Sequence, residues 1–226
     1  MNKFIPAYII SHGMLDYLTF SNFTDIFIYT ILVILNFFMF SISSDFVFLT
    51  FLTFSMYHFG EDFRYLTKGT NIDRYIGIMF VSGLGFYSKL TNINVLVKLL
   101  VLNKSLLLNY FKVFYIFSFI PCMFTNVNII IISLIFNFLL HFIDPFVIFL
   151  SYINFVHVPL AIYRYYIKYG KDVLVSWSVY IIILLYFLPS VINVTIIKLS
   201  ISIVNIHMIY ITKWQNQRGL LHKFVF

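Results

Sequence analysis

Apolar residues run along this chain in long blocks separated by short polar breaks. Stretches such as Ile129–Ile132 and Ile181–Leu185 are apolar at every position. They show no two-residue alternation of the kind a barrel strand needs, and no one-sided stripe of a helix lying on a soluble core. Helices apolar on all sides belong in lipid or deep within other helices. Block lengths and breaks predict spans at Phe4–Phe20, Asp25–Ile42, Asp45–Gly60, Arg74–Lys89, Ser105–Phe124 and Asn126–Ile143. Three more follow: Asp144 to about Tyr169, Asp172–Val191 and Val194–Lys213. Asp25 and Asp45 suit helix N-caps. Asp144-Pro145 reads as a cap followed by proline at the first helical position, and Gly170 as that helix's stop. Phe63–Asp73, with Gly69, reads as a polar loop, and Asn92–Asn103, holding Lys98, as an interfacial amphipathic helix. The expectation is an all-α polytopic integral membrane protein. It would be one helical domain over residues 1–226, a bundle of roughly seven to nine transmembrane helices.

Composition sharpens this. Of 226 residues, 62% are apolar, 21% aromatic and 10% charged, with a mean hydropathy of +0.96. A soluble domain carries about 25% charged residues, so an ordinary soluble fold is excluded. Intrinsic disorder needs low hydrophobicity, and a disulfide scaffold needs more than the single Cys122. The net charge of +7 does not point to nucleic acid, because the cations sit in breaks between apolar blocks rather than on one soluble face. Counting alternations places Arg64, Lys68, Arg74, Arg164, Lys168, Lys171, Lys213, Arg218 and Lys223 on one side of the membrane. Lys3, Lys89, Lys98, Lys104 and Lys198 fall on the other, which makes the first side the cytoplasmic one. The apolar run Phe4–Ile10 is short for a signal peptide and no Ala-x-Ala site follows it. The localisation expected is a multi-pass membrane protein.

The histidines carry the candidate chemistry. His222 lies in the polar tail, and His141, just before Asp144-Pro145, reads as an interfacial or packing residue. His58, His157 and His207 stand equally far along the chain from Asp45, Asp144 and Val194, where their helices are expected to start. A helix rises by a fixed step per residue, so the three rings lie at a common depth. His12 occupies a span running the same way. Four imidazoles at one depth could converge on a metal ion, since polar groups inside a membrane are costly and usually functional. The alternative is that each bonds a neighbouring helix. All-imidazole ligation suits zinc, copper, iron or nickel. Asp16 follows His12 by four positions and Asp62 follows His58 by four, a spacing that shares one helix face. A carboxylate so placed could orient an imidazole. For Asp62 the competing reading is that, with Glu61, it opens the solvated loop. Gly13 and Gly60, close to these histidines, would let a neighbouring helix or a ligand approach. No Walker A sequence is present, and Gly83-Leu84-Gly85 runs into Phe86 rather than completing a dinucleotide fingerprint.

His12-Gly13-Met14-Leu15-Asp16 resembles the His-Gly-Ala-Leu-Asp element of the Brp/Blh family of membrane β-carotene 15,15′-dioxygenases. Tyr57-His58-Phe59-Gly60-Glu61-Asp62 resembles the family's His-Phe-Gly-x-x-Asp, one position shorter before the aspartate. The stretch Asp144–His157 resembles the third element, with Pro145, Val147, Phe149, Tyr152, Phe155 and His157 in its spacing. His207-Met208-Ile209 resembles a fourth, Pro-His-Met-Ile. The elements fall in family order along the whole chain.

The resemblance implies a helical membrane enzyme using Fe(2+) held by histidines to cleave β-carotene with O₂ into two retinals. His12, His58 and His157 would be iron ligands with His207 near the site, and Asp16 and Asp62 would support them. The partners implied are a lipid-dissolved carotenoid, O₂, membrane lipid and a retinal-using rhodopsin downstream; nucleic acid is not among them. Two departures stand out. The third element normally continues as His-x-x-x-His, but here Ala161 follows His157 at the position of the second histidine. Ser11 stands where the family has proline. A non-catalytic carotenoid- or retinal-binding protein of the same fold, and a small transporter with a histidine proton relay, remain open as alternatives.

Overall fold

A computed structural model of the chain describes residues 4–20, 22–68, 71–87, 97–125, 127–187 and 194–217. Among them there is no strand. Helix α1 (Phe4–Gly13) tightens into a 3₁₀ helix, Met14–Thr19. Then come α2 (Phe23–Ile42), α3 (Ser44–Thr67), a 3₁₀ turn at Asn71–Arg74, α4 (Tyr75–Tyr87), α5 (Lys104–Met123) and α6 (Val127–Phe142). Next are α7 (Pro145–Tyr169, with a π turn at Ile153–His157), α8 (Asp172–Phe187) and α9 (Val194–Gln217). Of the segment expected as an interfacial helix, residues 92–96 lie outside the described residues and 97–100 are helical.

Three helices, α2, α5 and α7, are long and apolar enough to cross a membrane. A helix the length of α2 matches the thickness of a bilayer's hydrocarbon layer. Their outward faces are apolar. Phe27, Leu35 and Phe38 on α2 are more than half exposed, as are Ile116 and Phe117 on α5. Contiguous exposed apolar surface of this kind is costly in water and neutral in lipid.

Capping decides where helices start, and twice a neighbour displaces the expected aspartate. Asn22 Oδ1 accepts the Asp25 N–H at 3.0 Å, and Ser43 Oγ accepts the Phe46 N–H at 3.3 Å. Each aspartate then falls inside the first turn, where its charge still complements the helix dipole. Asp45 instead accepts the Asn103 N–H at 2.7 Å. The third expectation holds: Asp144 Oδ1 accepts the Phe146 N–H at 2.7 Å and Pro145 opens α7. Asp144→Ala should cost about 1 kcal/mol of stability, measurable as a lowered melting temperature in detergent; an unchanged melt would show that the cap contributes nothing. Gly170 (φ 78°) ends α7, donating its N–H to Tyr166 O at 2.8 Å. The loop expected from Phe63 begins later. α3 continues to Thr67, where left-handed Lys68 (φ 51°) closes it, and Gly69 lies outside the described residues.

Internal contacts gather the chain into two compact units. The first comprises Met1–Phe38 and Ser151–Leu221, the second Met39–Leu150 and His222–Phe226. In the first, α1 packs against α7, α8 and α9. Tyr8 donates to Asn154 O at 3.1 Å, and Trp177 Nε1 donates to Ser11 Oγ at 2.7 Å. In the second, α4 packs against α3, α5 and α6. Its crossing with α3 is backbone to backbone: a Cβ on Gly77 would stand 2.2 Å from both Gly60 N and Met56 O.

Candidate functional site

The first unit buries a carboxylate. α1 ends at Gly13, and the 3₁₀ helix that follows carries Asp16 inward to 3% exposure. Asp16 Oδ2 lies 2.7 Å from His207 Nδ1 and accepts the Tyr29 hydroxyl at 3.3 Å. Oδ1 accepts the Tyr165 hydroxyl at 3.0 Å. These partners come from α9, α2 and α7. A buried carboxylate needs donors on its oxygens, and these three side chains supply them. The ring nitrogen facing it is therefore assigned a proton, so His207 donates through Nδ1–H. Beside this group, Tyr29 meets Phe20 and Tyr210 edge to face, the three ring centroids lying 5.2–5.8 Å apart.

Sequence spacing directs Asp16 to His12; among the described residues the imidazole it meets is His207. His12 sits on α1, and its side chain lies outside the described residues. Gly13 faces the His207 ring, but a Cβ there would stand 3.7 Å from Nδ1, ordinary contact distance, so the bare backbone is not required for space. Ser11, in place of the family's proline, donates to Tyr8 O at 2.8 Å while accepting from Trp177. Its hydroxyl thereby ties α1 to α8.

His157 closes the π turn of α7, where Val158 N–H reaches back to Ile153 O. Single π turns inside α-helices recur at functional sites. His157 is 4% exposed, and its ring lies 6.3 Å from Tyr152 at an interplanar angle of 24°. Ala161 follows it on the same helix and offers no donor atom.

His58 and Asp62 belong to the second unit. Both are buried on the unbroken α3, one turn apart. The solvated-loop reading of Glu61 and Asp62 does not hold, since both are inside. Glu61 accepts from Arg64 Nε and Nη2 at 3.1 and 2.9 Å and also pairs with Arg74 Nε. The Arg74 guanidinium stacks 4.9 Å from the Tyr57 ring centre. This ion cluster ties the end of α3 to the Asn71–Arg74 turn. His141 does what the sequence assigned it: Nδ1 lies 2.8 Å from Asn137 O, and the ring packs 5.0 Å from Tyr87.

Among the described residues, no group of three or more His, Cys, Asp and Glu side chains is arranged to hold a metal ion. The donor chemistry fits an imidazole-bound metal at one ligand, His207. A carboxylate on Nδ1 is the usual support of a metal-bound histidine. Tyr29 and Tyr165 carry no signal in the sequence; among 17 tyrosines, spacing marks neither. In comparison with known proteins, the chain matches no family model, no curated protein and no solved structure.

Proposed function

We propose that this chain is an intramembrane Fe(II)-dependent oxygenase that cleaves the central 15,15′ double bond of β-carotene with O₂ to give two retinals. The observation that carries the reading is the contact between Asp16 and His207, 191 positions apart. It joins the first and fourth sequence elements that resemble the Brp/Blh family. The third element's His157 is buried in the same unit. Nothing in a structural ion pair requires its partners to come from those elements.

In this reading His12, His157 and His207 are the first unit's candidate iron ligands; His58, with Asp62 beside it on α3, belongs to the second unit. Bound iron would supply O₂ activation at the polyene. The protein's own contribution is to fix the imidazoles, through Asp16 at His207, and to surround the reacting atoms with apolar side chains that exclude water. The shorter apolar helices α4, α8 and α9, together with the apolar part of α6, are proposed to enter the membrane beside the three long ones, making the protein polytopic. A chain with so little aqueous surface draws a lipid-dissolved substrate laterally from the bilayer. Retinal leaving the same way would reach a retinal-binding membrane protein.

Expression in cells that make β-carotene tests this directly. Loss of colour with retinal on chromatography is the expected result. Undiminished colour without retinal, at verified membrane expression, would overturn the reading. His58→Ala with full activity would show that cleavage does not depend on His58. A second reading, a carotenoid- or retinal-binding protein without catalysis, is favoured by one observation: Ala161 stands where a second histidine is expected. Pigment bound by purified, iron-free protein would establish it, and a gain of cleavage in Ala161→His would identify the missing ligand.

A further inference from the structure

In the second unit, the end of α3 and the turn after it bring two guanidinium groups to one carboxylate. Arg64 donates to Glu61 through Nε and Nη2, at 3.1 and 2.9 Å, and Arg74 donates through Nε. The Tyr57 ring, its centre 4.9 Å away, also holds the Arg74 plane. Glu61 is buried, while the two arginine side chains keep 16% and 20% exposure. The two guanidinium groups carry twice the charge of the carboxylate and more N–H groups than its oxygens can accept. Glu61 therefore orients both arginines without saturating them. Asp62 is buried next along α3, and adjacent residues on a helix do not share a face. The Asp73 side chain lies outside the described residues.

We infer that Arg64 and Arg74 form a binding site for the phosphate of an anionic membrane lipid. The planar fork of arginine matches phosphate oxygens, and two forks held by one buried anchor are ordered before the ligand arrives. The N–H groups that Glu61 does not use take the two free oxygens of a phosphodiester, and exposed Lys68, closing α3, adds charge. The surroundings favour a lipid over a soluble phosphate. Leu66, Ile72 and Tyr75 on the same turns are between 41% and 53% exposed. Cations beside exposed apolar and tyrosine side chains suit the headgroup layer of a bilayer. The cation count of the chain is expected to put this corner on the cytoplasmic side, whose leaflet carries the anionic lipids. The assignment rests on the membrane placement of α4 and not on the oxygenase chemistry.

The test uses the full-length protein in detergent, mixed with phosphatidylglycerol, phosphatidylcholine or inorganic phosphate, and native mass spectrometry reads what stays bound. Wild type should retain phosphatidylglycerol over phosphatidylcholine, whose trimethylammonium group the arginines repel, and inorganic phosphate should not displace it. Arg64→Gln and Arg74→Gln should each weaken retention about tenfold, the effect of one lost charge-assisted hydrogen bond. Arg74→Lys, which keeps the charge and loses the fork, should fall between Arg74→Gln and wild type; it decides the matter if Arg74→Gln does not fold. Arg164→Gln removes a cation on α7 and should retain lipid like wild type. Melting temperatures without lipid show which variants are folded. Undiminished retention in folded Arg64 and Arg74 variants would overturn the site, as would an equal loss in Arg164→Gln. Displacement by inorganic phosphate would overturn lipid as its ligand. Retinal output plays no part in the readout, so the oxygenase reading can fail while this site stands.

Discussion

Gly77→Ala should disrupt the second unit. The added methyl carbon would stand 2.2 Å from Gly60 N, 2.2 Å from Met56 O and 2.6 Å from Gly60 Cα. All three are backbone atoms, so no rotamer change can make room and α3 and α4 must separate. Alanine is the better helix former by about 1 kcal/mol, which would make the substitution mildly stabilising on an open face. Here overpacking outweighs that gain; we expect a net loss of about 3 kcal/mol, at the upper end for inserted core volume. Small residues at a crossing are how membrane helices pack closely, and Gly60 is the partner. A Cβ on Gly60 would meet Arg74 O at 2.5 Å. The consequence reaches the candidate residues, because His58 and Asp62 flank Gly60 on α3. Thermal unfolding in detergent should show a large drop in melting temperature for Gly77→Ala. Gly13→Ala, whose methyl meets only ordinary contact at 3.7 Å, should melt within a few degrees of wild type. Equal melting of Gly77→Ala and wild type would refute the close crossing.

What the sequence discloses depends on whether the cause is local. The Asp144-Pro145 start and the Gly170 stop are set by a residue's own backbone preferences, and both are legible. The caps at Asn22 and Ser43 are not, and Asp25 and Asp45 stand in for them, because several polar residues cluster at each break and only geometry decides which one caps. α3 outruns its expected end because Glu61, Asp62 and Arg64 look like a loop in composition. Inside the unit, Glu61 is matched by Arg64 and Arg74, and a matched charge can be buried. At the candidate site, Asp16 and His207 stand out individually from their cost in a membrane. Their contact does not, since the i,i+4 rule points Asp16 at His12. Pairing across 191 positions leaves no trace in spacing. The tyrosine hydroxyls are invisible for a different reason: in an aromatic-rich chain a phenol is expected anywhere.

Asp16→Ala should remove both stability and function from the first unit. Truncation leaves the Tyr29 and Tyr165 hydroxyls and His207 Nδ1–H without their common acceptor, at a position 3% exposed. A buried donor so stranded costs about 1–3 kcal/mol, and the half-buried Tyr29 less. With partial relaxation the sum is about 3 kcal/mol or more, comparable to the loss at Gly77. Asp16→Asn separates the two consequences. Its carboxamide keeps the shape and can accept on one oxygen, but its NH₂ group must face a donor, either Tyr165 or the Tyr29–His207 pair. Either way His207 loses the anion that fixes its tautomer. The expected pattern is therefore graded. Asp16→Ala should melt well below wild type and yield no detectable retinal in β-carotene-producing cells. Asp16→Asn should melt closer to wild type yet lose retinal output by about 10–100-fold, the penalty typical of removing the carboxylate behind a ligating histidine. A purely structural Asp16 predicts a different order, with activity following stability and Asp16→Asn nearly normal in both. Retinal output close to wild type from a well-folded Asp16→Asn would therefore reject the role assigned to this carboxylate, and with it the strongest support for the oxygenase reading.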